Sequence, residues 1–257
     1  MASDPRISEP VPPTSPSTIW DEVVRFLMDP ATHRLAAPPT RIDTHAAVVV
    51  LAGPLAYKLK RPVRFPFLDF STLSLREAAC RREIAVDRPI APEIYRRVVA
   101  ITREADGSLA LSGAGAPVEW AVEMNRFDEA ATLDRRLAAG PLPDALVDAL
   151  AAIVARAEAQ ATRRDAGAWI ADLGRWIDQN AVAFAAAPDL FDAAAAARLA
   201  EVACSRLADL TDLLVARGRL GFVRLGHGDL HTGNIALIDG RPLPFDAIEF
   251  DDRVATG

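Results

Sequence analysis

Cysteine is scarce in this sequence: Cys80 and Cys204 are the only two among 257 residues. Neither belongs to a C-x-x-C pair, which excludes a zinc knuckle or a dithiol redox centre. Both are read as free, buried thiols in a reducing compartment. Long apolar runs are absent too. Asp, Glu and Arg interrupt the alanine-rich stretches before a span of about eighteen apolar residues can build up, so no membrane-crossing helix is expected. Met1–Glu9 holds acids and prolines in place of the apolar core of a secretory leader, and a cytoplasmic location follows as the expectation. Positive charge is in deficit, with 29 Lys and Arg against 35 Asp and Glu for a net charge of −6. That balance argues against nucleic acid or an anionic membrane as the main partner. Two glycine-rich phosphate motifs are missing as well: no G-x-G-x-x-G lies near the first predicted hairpin, and no G-x-x-x-x-G-K-[ST] occurs anywhere.

What is present is a globular composition, 51% apolar, in which abundant alanine favours closely packed helices over a large core. Residues 1–16 are rich in Pro and Ser and are expected to be disordered. Ser17 can cap a helix over Thr18–Met28, closed off by Pro30, and residues 30–41 read as a linker. His45–Leu51 and Leu55–Lys60, turning at Gly53-Pro54, form a predicted β-hairpin. Ser74-Leu-Arg-Glu77 reads as a capping box opening a helix that runs to about Asp87. Strands are expected at Arg97–Thr102, Ser108–Leu111 and Val118–Met124, giving five strands with one helix after the second. The second half is helical by its apolar spacing, over Asp144–Arg163, Trp169–Ala186 and Phe191–Ala216. Short strands return at Phe222–Leu225, Asn234–Leu237 and Leu243–Phe245. The fold class is therefore α+β and two-lobed. A strand-rich lobe over 17–127, with its leading helix, is followed by a helical lobe over 128–257 that carries a small hairpin.

That hairpin holds the chemistry. His227-Gly-Asp229-Leu-His231-Thr-Gly-Asn234 has the H-x-D-L-x-x-x-N spacing of a phosphoryl-transfer catalytic loop. Phosphoryl transfer demands positioning and charge neutralisation. Asp229 fits as the carboxylate facing an acceptor hydroxyl. Asn234 fits as a neutral oxygen ligand for Mg²⁺, and Asp246, after an apolar strand, as the carboxylate between metal and phosphates. A lysine on an early strand must then reach the phosphates of ATP, with a helix glutamate holding it. Lys60 is the first choice and Lys58, on the same face, the alternative; Glu83 is preferred to Glu77 as partner. A competing reading places His227, Asp229 and His231 on one side of a strand as zinc ligands, but it gives Asn234 and Asp246 no role. Glu249, Asp251 and Asp252, just past Asp246, read either as solvated loop acids or as a preference for a cationic acceptor.

With these residues in place, the sequence resembles the aminoglycoside phosphotransferase and choline kinase-like family. The resemblance rests on HGDLHTGN and the later FDAIEF. It is closer to a bacterial subgroup through Thr44-His45, Tyr57–Val63, Phe67–Leu73 and Ala121–Phe127, and extends over nearly the whole chain from about residue 17. It implies a protein-kinase-like fold with an antiparallel N-lobe sheet, one N-lobe helix and a mainly helical C-lobe. It implies ATP, Mg²⁺ and transfer of the γ-phosphate to a hydroxyl of a small-molecule alcohol. By the same resemblance Asp229 is the base, and His231 fills the place where protein kinases usually have lysine. Asn234 and Asp246 are metal ligands, Lys60 and Glu83 the phosphate-binding pair, and Glu123 and Met124 the hinge facing adenine.

Many members of that subgroup carry a C-terminal P-loop ATPase domain, which leaves room for one in the full-length protein. Family members also continue into further C-lobe helices after the FDxIEF segment. The chain is therefore expected to be truncated, with apolar surface exposed on its helical lobe and weak activity. The alternative function is a nucleotide-binding regulatory module without turnover, a pseudokinase.

Overall fold

The computed structural model describes residues 17–65 and 67–257, and the expectation for residues 1–16 lies outside them. The chain divides into two compact units. One comprises residues up to Leu150 together with Asp229–Asp251; the other comprises Ala151–Gly228 with Asp252–Gly257. The units are discontinuous in sequence because the motif-bearing hairpin packs with the strand-rich residues.

The first unit opens with α1 (Ser17–Met28) and a single turn, α2 (Pro30–His33). Pro30 does end α1, but it also starts α2, where a missing N–H costs nothing and Asp29 caps the turn. Next come β1 (Thr40–Asp43), β2 (Ala47–Ala52) and β3 (Leu55–Lys60), then a two-residue ribbon of β4 (Arg64–Phe65) and β5 (Leu68–Asp69). Helix α3 (Leu73–Asp87) follows, then β6 (Tyr95–Arg103), β7 (Leu109–Leu111) and β8 (Ala116–Asn125). The sheet has six strands in the order β1-β2-β3-β8-β6-β7, every pair antiparallel. β1 adds a strand to the five expected. It is an edge strand with no buried residue, so it lacks the alternation that betrays a strand. The cap of α3 also moves: the Thr72 hydroxyl accepts the Leu75 N–H at 3.3 Å, and Glu77 instead pairs with Arg81 at 2.7 Å.

Alternation along β2 and β3 separates two faces. Val48, Val50, Tyr57 and Leu59 point toward α1, where they meet the buried Val23 and Leu27. Each such aliphatic side chain contributes roughly 1.5–3 kcal/mol on full burial. The opposite face carries Leu51, Ala56, Val122 and Met124, packed with Cys80 of α3 and with Ile94 and Tyr95. The unit closes with α4 (Leu133–Ala139), the first part of α5 (Asp144–Gln160), and the hairpin of β9 (Ile235–Ile238) and β10 (Arg241–Pro244). The hairpin turns through Asp239 and Gly240, with φ of 51° and 76°, the Asp-Gly pair that a two-residue turn with positive φ selects.

The second unit is a helical hairpin of α6 (Ala166–Ala185) and α7 (Ala193–Arg219), capped by Asp165 and Asp192. The helices run antiparallel: a Cβ on Gly218, near the end of α7, would lie 2.2 Å from the Ala166 Cβ at the start of α6. The expected strand over Phe222–Leu225 is reduced to isolated bridges, Arg224 with Arg163 and Leu225 with Thr256. Apolar surface is exposed, as expected: Leu199, Val202, Leu210 and Leu213 share one stripe of α7 and stay 45–56% accessible. Cys204 is also exposed, whereas Cys80 is buried with its thiol pushed up to about 12 by that burial. The pairing of two buried thiols is therefore corrected at Cys204. Among the described residues no helix is long and apolar enough to cross a membrane.

Candidate functional site

A cavity of about 370 Å³ opens on the α3 face of the sheet, within the first unit. One end is apolar, lined by Val49, Leu51, Ala56, Met124, Phe127 and Phe245. The other end is ionic, lined by Lys58, Lys60, Asp229, Asp246 and Glu249. The lining thus joins an apolar wall to a cluster of paired lysines and carboxylates. The period of two explains the lysines: Ala56, Lys58 and Lys60 leave β3 on the cavity side, while Tyr57 and Leu59 enter the core behind it.

Both lysines meet the same glutamate. Glu83, fully buried on α3, takes Lys58 Nζ at 2.9 Å and Lys60 Nζ at 2.5 Å. Lys58 also reaches Asp246 Oδ1 at 2.5 Å. Lys60 also pairs with Glu249 and lies over the Phe70 ring. Burial pulls the Lys58 ammonium down, but Asp246 and Glu83 outweigh it and leave its pKa well above the ordinary value. Lys60 is likewise raised, burial being overcome by Glu83 and Glu249 against the opposing charge of Lys58. Burial pushes the Glu83 carboxyl up, and the two ammonium groups bring it below the usual carboxylate range. Of the two lysines, Lys58 joins Glu83 to Asp246 and Lys60 joins Glu83 to Glu249.

The hairpin supplies the remaining groups. Asn234 donates its amide to the Asp229 backbone carbonyl at 3.0 Å and to the Asp229 carboxylate at 3.3 Å. Both bonds use the amide nitrogen, so the oxygen is the end of the side chain left to accept or to ligate. The Phe245 N–H donates to the Asn234 carbonyl at 2.9 Å, which seats Asp246 beside Asn234. His231 is exposed; its Nδ1 accepts the Gly233 N–H at 3.0 Å, and its Nε2 stands 3.7 Å from the Asp229 carboxylate. An acceptor Nδ1 assigns the neutral ring's proton to Nε2, on the side of Asp229.

Asp246 has a φ of 62°, a left-handed conformation that costs a non-glycine residue about 1–2 kcal/mol. Its N–H donates to the Tyr95 hydroxyl at 3.0 Å, and the next N–H, of Ala247, donates to Asp87 Oδ1 at 2.8 Å. Tyr95 and Asp87 are both buried. Burial is the main force pushing the Asp87 carboxyl up to about 8, partly countered by the Ala247 bond.

The structure thus brings together Lys58, Lys60, Glu83, Asp229, Asn234 and Asp246, and sets Met124 in the apolar wall. Glu123 does not join them. It is the neighbour of Met124 on a strand and so projects from the opposite face, where Arg96 and Arg97 hold it at 2.9 and 3.2 Å. Its side chain is therefore not part of the cavity lining, whereas Met124 is. Glu249 is neither a solvated acid nor an open anionic lure, since it is buried against Lys60. Its position between Ile248 and Phe250 was the available signal. Asp87 and Tyr95 escaped notice in the sequence, although Asp87 follows Glu83 by one helical turn on the same buried face. Among the described residues no group of three or more His, Cys, Asp or Glu side chains is gathered to hold a metal, so the zinc arrangement is not formed.

No protein-family model matches the chain. It is 31% identical over 216 residues to proteins described as uncharacterized from Mycobacterium bovis and Mycobacterium tuberculosis, an alignment covering 82% of this chain and 42% of each relative. The chain therefore spans less than half the length of the curated relatives it matches.

Proposed function

We propose that this chain carries the catalytic residues of an ATP- and Mg²⁺-dependent phosphotransferase. The acceptor is a hydroxyl of a small-molecule alcohol, and the fold is of the kinase-like, aminoglycoside phosphotransferase type. One observation carries the reading. A lysine–glutamate pair, Lys58–Glu83, meets Asp246 at the ionic end of a cavity that also holds Asp229, and Asn234 joins Asp229 to the Asp246 segment.

The donor set fits a hard cation: Asn234 offers an amide oxygen and Asp246 a carboxylate, few enough to leave room for phosphate oxygens and water. Bound magnesium would supply charge neutralisation at the phosphates. Lys58, and Lys60 behind it, would hold phosphate oxygens, with Glu83 keeping both ammonium groups in place. Asp229 takes the proton that the acceptor hydroxyl gives up as its oxygen bonds the γ-phosphorus and the bond to ADP breaks. His231, with its proton on Nε2, orients the Asp229 carboxylate. The apolar wall around Met124 and Phe127 receives the base.

The test is thermal. ATP with Mg²⁺ is expected to raise the melting temperature of the wild type, and Asp246→Ala to lose the magnesium-dependent part of that rise. No shift in the wild type, or an equal shift in the variant, refutes the assignment. ATP consumption across a panel of alcohols and aminoglycosides, with Asp229→Asn as control, then separates a kinase from a nucleotide-binding regulatory module, which binds without turnover.

A further inference from the structure

Three consecutive N–H groups, those of Phe245, Asp246 and Ala247, are held by different elements. The first goes to the Asn234 carbonyl, the second to the Tyr95 hydroxyl at 3.0 Å, the third to the Asp87 carboxyl at 2.8 Å. The middle residue has a positive φ of 62°. A non-glycine residue keeps that conformation only where its surroundings over-determine it. Here the surroundings are two polar side chains with 0% and 2% exposure, in a region where an unmade bond is expensive.

We propose that Asp87 and Tyr95 are positioning residues that fix the left-handed backbone of Asp246 and thereby aim its carboxylate at Lys58 and the cation. The role rests on the phosphotransfer reading. Helix α3 links the two halves of the device. Glu83 and Asp87 lie one turn apart on its buried face; Glu83 sets the lysines and Asp87 sets the segment carrying the carboxylate that Lys58 meets. Tyr95, the first residue of β6, grips the same segment one residue earlier. A released backbone would let Asp246 relax to negative φ and swing its carboxylate away from Lys58.

The experiment uses three variants of the full chain. Asp87→Leu removes the acceptor with the same number of side-chain heavy atoms, Asp87→Asn keeps an oxygen for the Ala247 N–H, and Tyr95→Phe deletes only the hydroxyl. Hydrogen–deuterium exchange over residues 244–250 reads the brace without any ligand. The magnesium-dependent part of the ATP-induced rise in melting temperature reads its consequence. In Asp87→Leu and Tyr95→Phe, exchange is expected to quicken roughly three- to tenfold, the size of one lost hydrogen bond. The magnesium requirement should rise by a similar factor, with magnesium-free ADP binding held within about twofold. Asp87→Asn should restore both.

Should Asp87→Leu fail to fold, Tyr95→Phe decides alone. Unchanged exchange in a folded Tyr95→Phe overturns the brace. Quickened exchange with an unchanged magnesium requirement overturns the positioning role, provided Asp246→Ala abolishes the magnesium effect. A wild type that binds ATP with no magnesium effect overturns the phosphotransfer reading and the role together, and the exchange data then show separately whether the brace exists.

Discussion

Glu83 offers the sharpest perturbation, because one fully buried carboxylate serves two buried ammonium groups. Its N···O separations are 2.9 Å to Lys58 and 2.5 Å to Lys60. At an effective dielectric of about 20, each contact represents roughly 5–7 kcal/mol of gross attraction. Burying the ions costs several kcal/mol apiece, and removing one member of a buried pair typically costs about 3–5 kcal/mol. In Glu83→Gln each lysine keeps a second carboxylate, Asp246 or Glu249. The expected loss therefore falls to about 2–3 kcal/mol, or roughly 5–10 °C in melting temperature for a chain of this size.

The assay must report the right unit. Trp20 and Trp120 lie in the first unit, and Trp169 and Trp176 in the second. A Trp169→Phe/Trp176→Phe background leaves fluorescence that follows the sheet alone, and urea titrations in it give the stability change. A second substitution, Lys60→Met, completes a cycle. Since both side chains belong to one network, the double variant should lose at least about 1 kcal/mol less than the two single losses predict. A Glu83→Gln variant within about 0.5 kcal/mol of the parent, or additive losses, would refute the view that these contacts are coupled and buried.

Asp87→Asn tests the pH behaviour of the brace. The wild-type carboxyl, pushed up to about 8 by burial, contributes stability that is complete below its unfolded value near 3.8 and is lost as pH rises through 8, because the unfolded chain releases the proton first. The urea midpoint of Asp87→Asn should therefore gain on the wild type from about pH 4 to 8 and then hold level, whereas a constant gap at pH 5, 7 and 9 contradicts the assignment. On α7, Leu199→Gln with Leu213→Gln should reduce binding of an apolar fluorescent dye and any concentration-dependent association, while shifting stability by no more than about 0.5 kcal/mol; a larger loss means the stripe is packed.

Legibility in the sequence followed the physics of each element. The β2–β3 hairpin, β8 and the long helices announce themselves through apolar patterning, since one face of each meets a core or a neighbour, whereas the helix to Asp87 is read from its start signal. β1 and the β4–β5 ribbon are held by backbone pairing with few buried side chains, so their residues carry no pattern. At the site, Asp229, Asn234 and Asp246 were legible because their spacing is fixed by one hairpin. The choice between Lys58 and Lys60 was not, since both leave β3 on the same face and only three-dimensional placement decides which meets Asp246. The direction of the Glu123 side chain was illegible for the complementary reason. A resemblance at β8 identifies the strand, yet whether a side chain faces the cavity turns on a one-residue alternation. Asp87 and Tyr95 act on backbone N–H groups some 150 residues away, a relation that leaves no local signature.

The charge of the assembled cluster constrains what can enter it. Lys58 and Lys60 supply two formal positive charges, and Glu83, Asp246 and Glu249 three negative ones, so the group carries a net −1 before Asp229 is counted. A bare polyphosphate approaching this end of the cavity meets lysines already engaged and a surplus of carboxylate. On the proposed reading, a divalent cation held by Asp246 would reverse that sign and leave the Lys58 ammonium to phosphate oxygens. On the proposed phosphotransfer reading, the ion pairs of the unliganded site would favour a metal-bound anion over a bare one. That selectivity depends on Asp246 staying where the cation needs it while Lys58 lets go. Anchoring its backbone from α3 and β6, instead of through its side chain, meets that requirement, because these bonds survive the exchange of partners at the carboxylate.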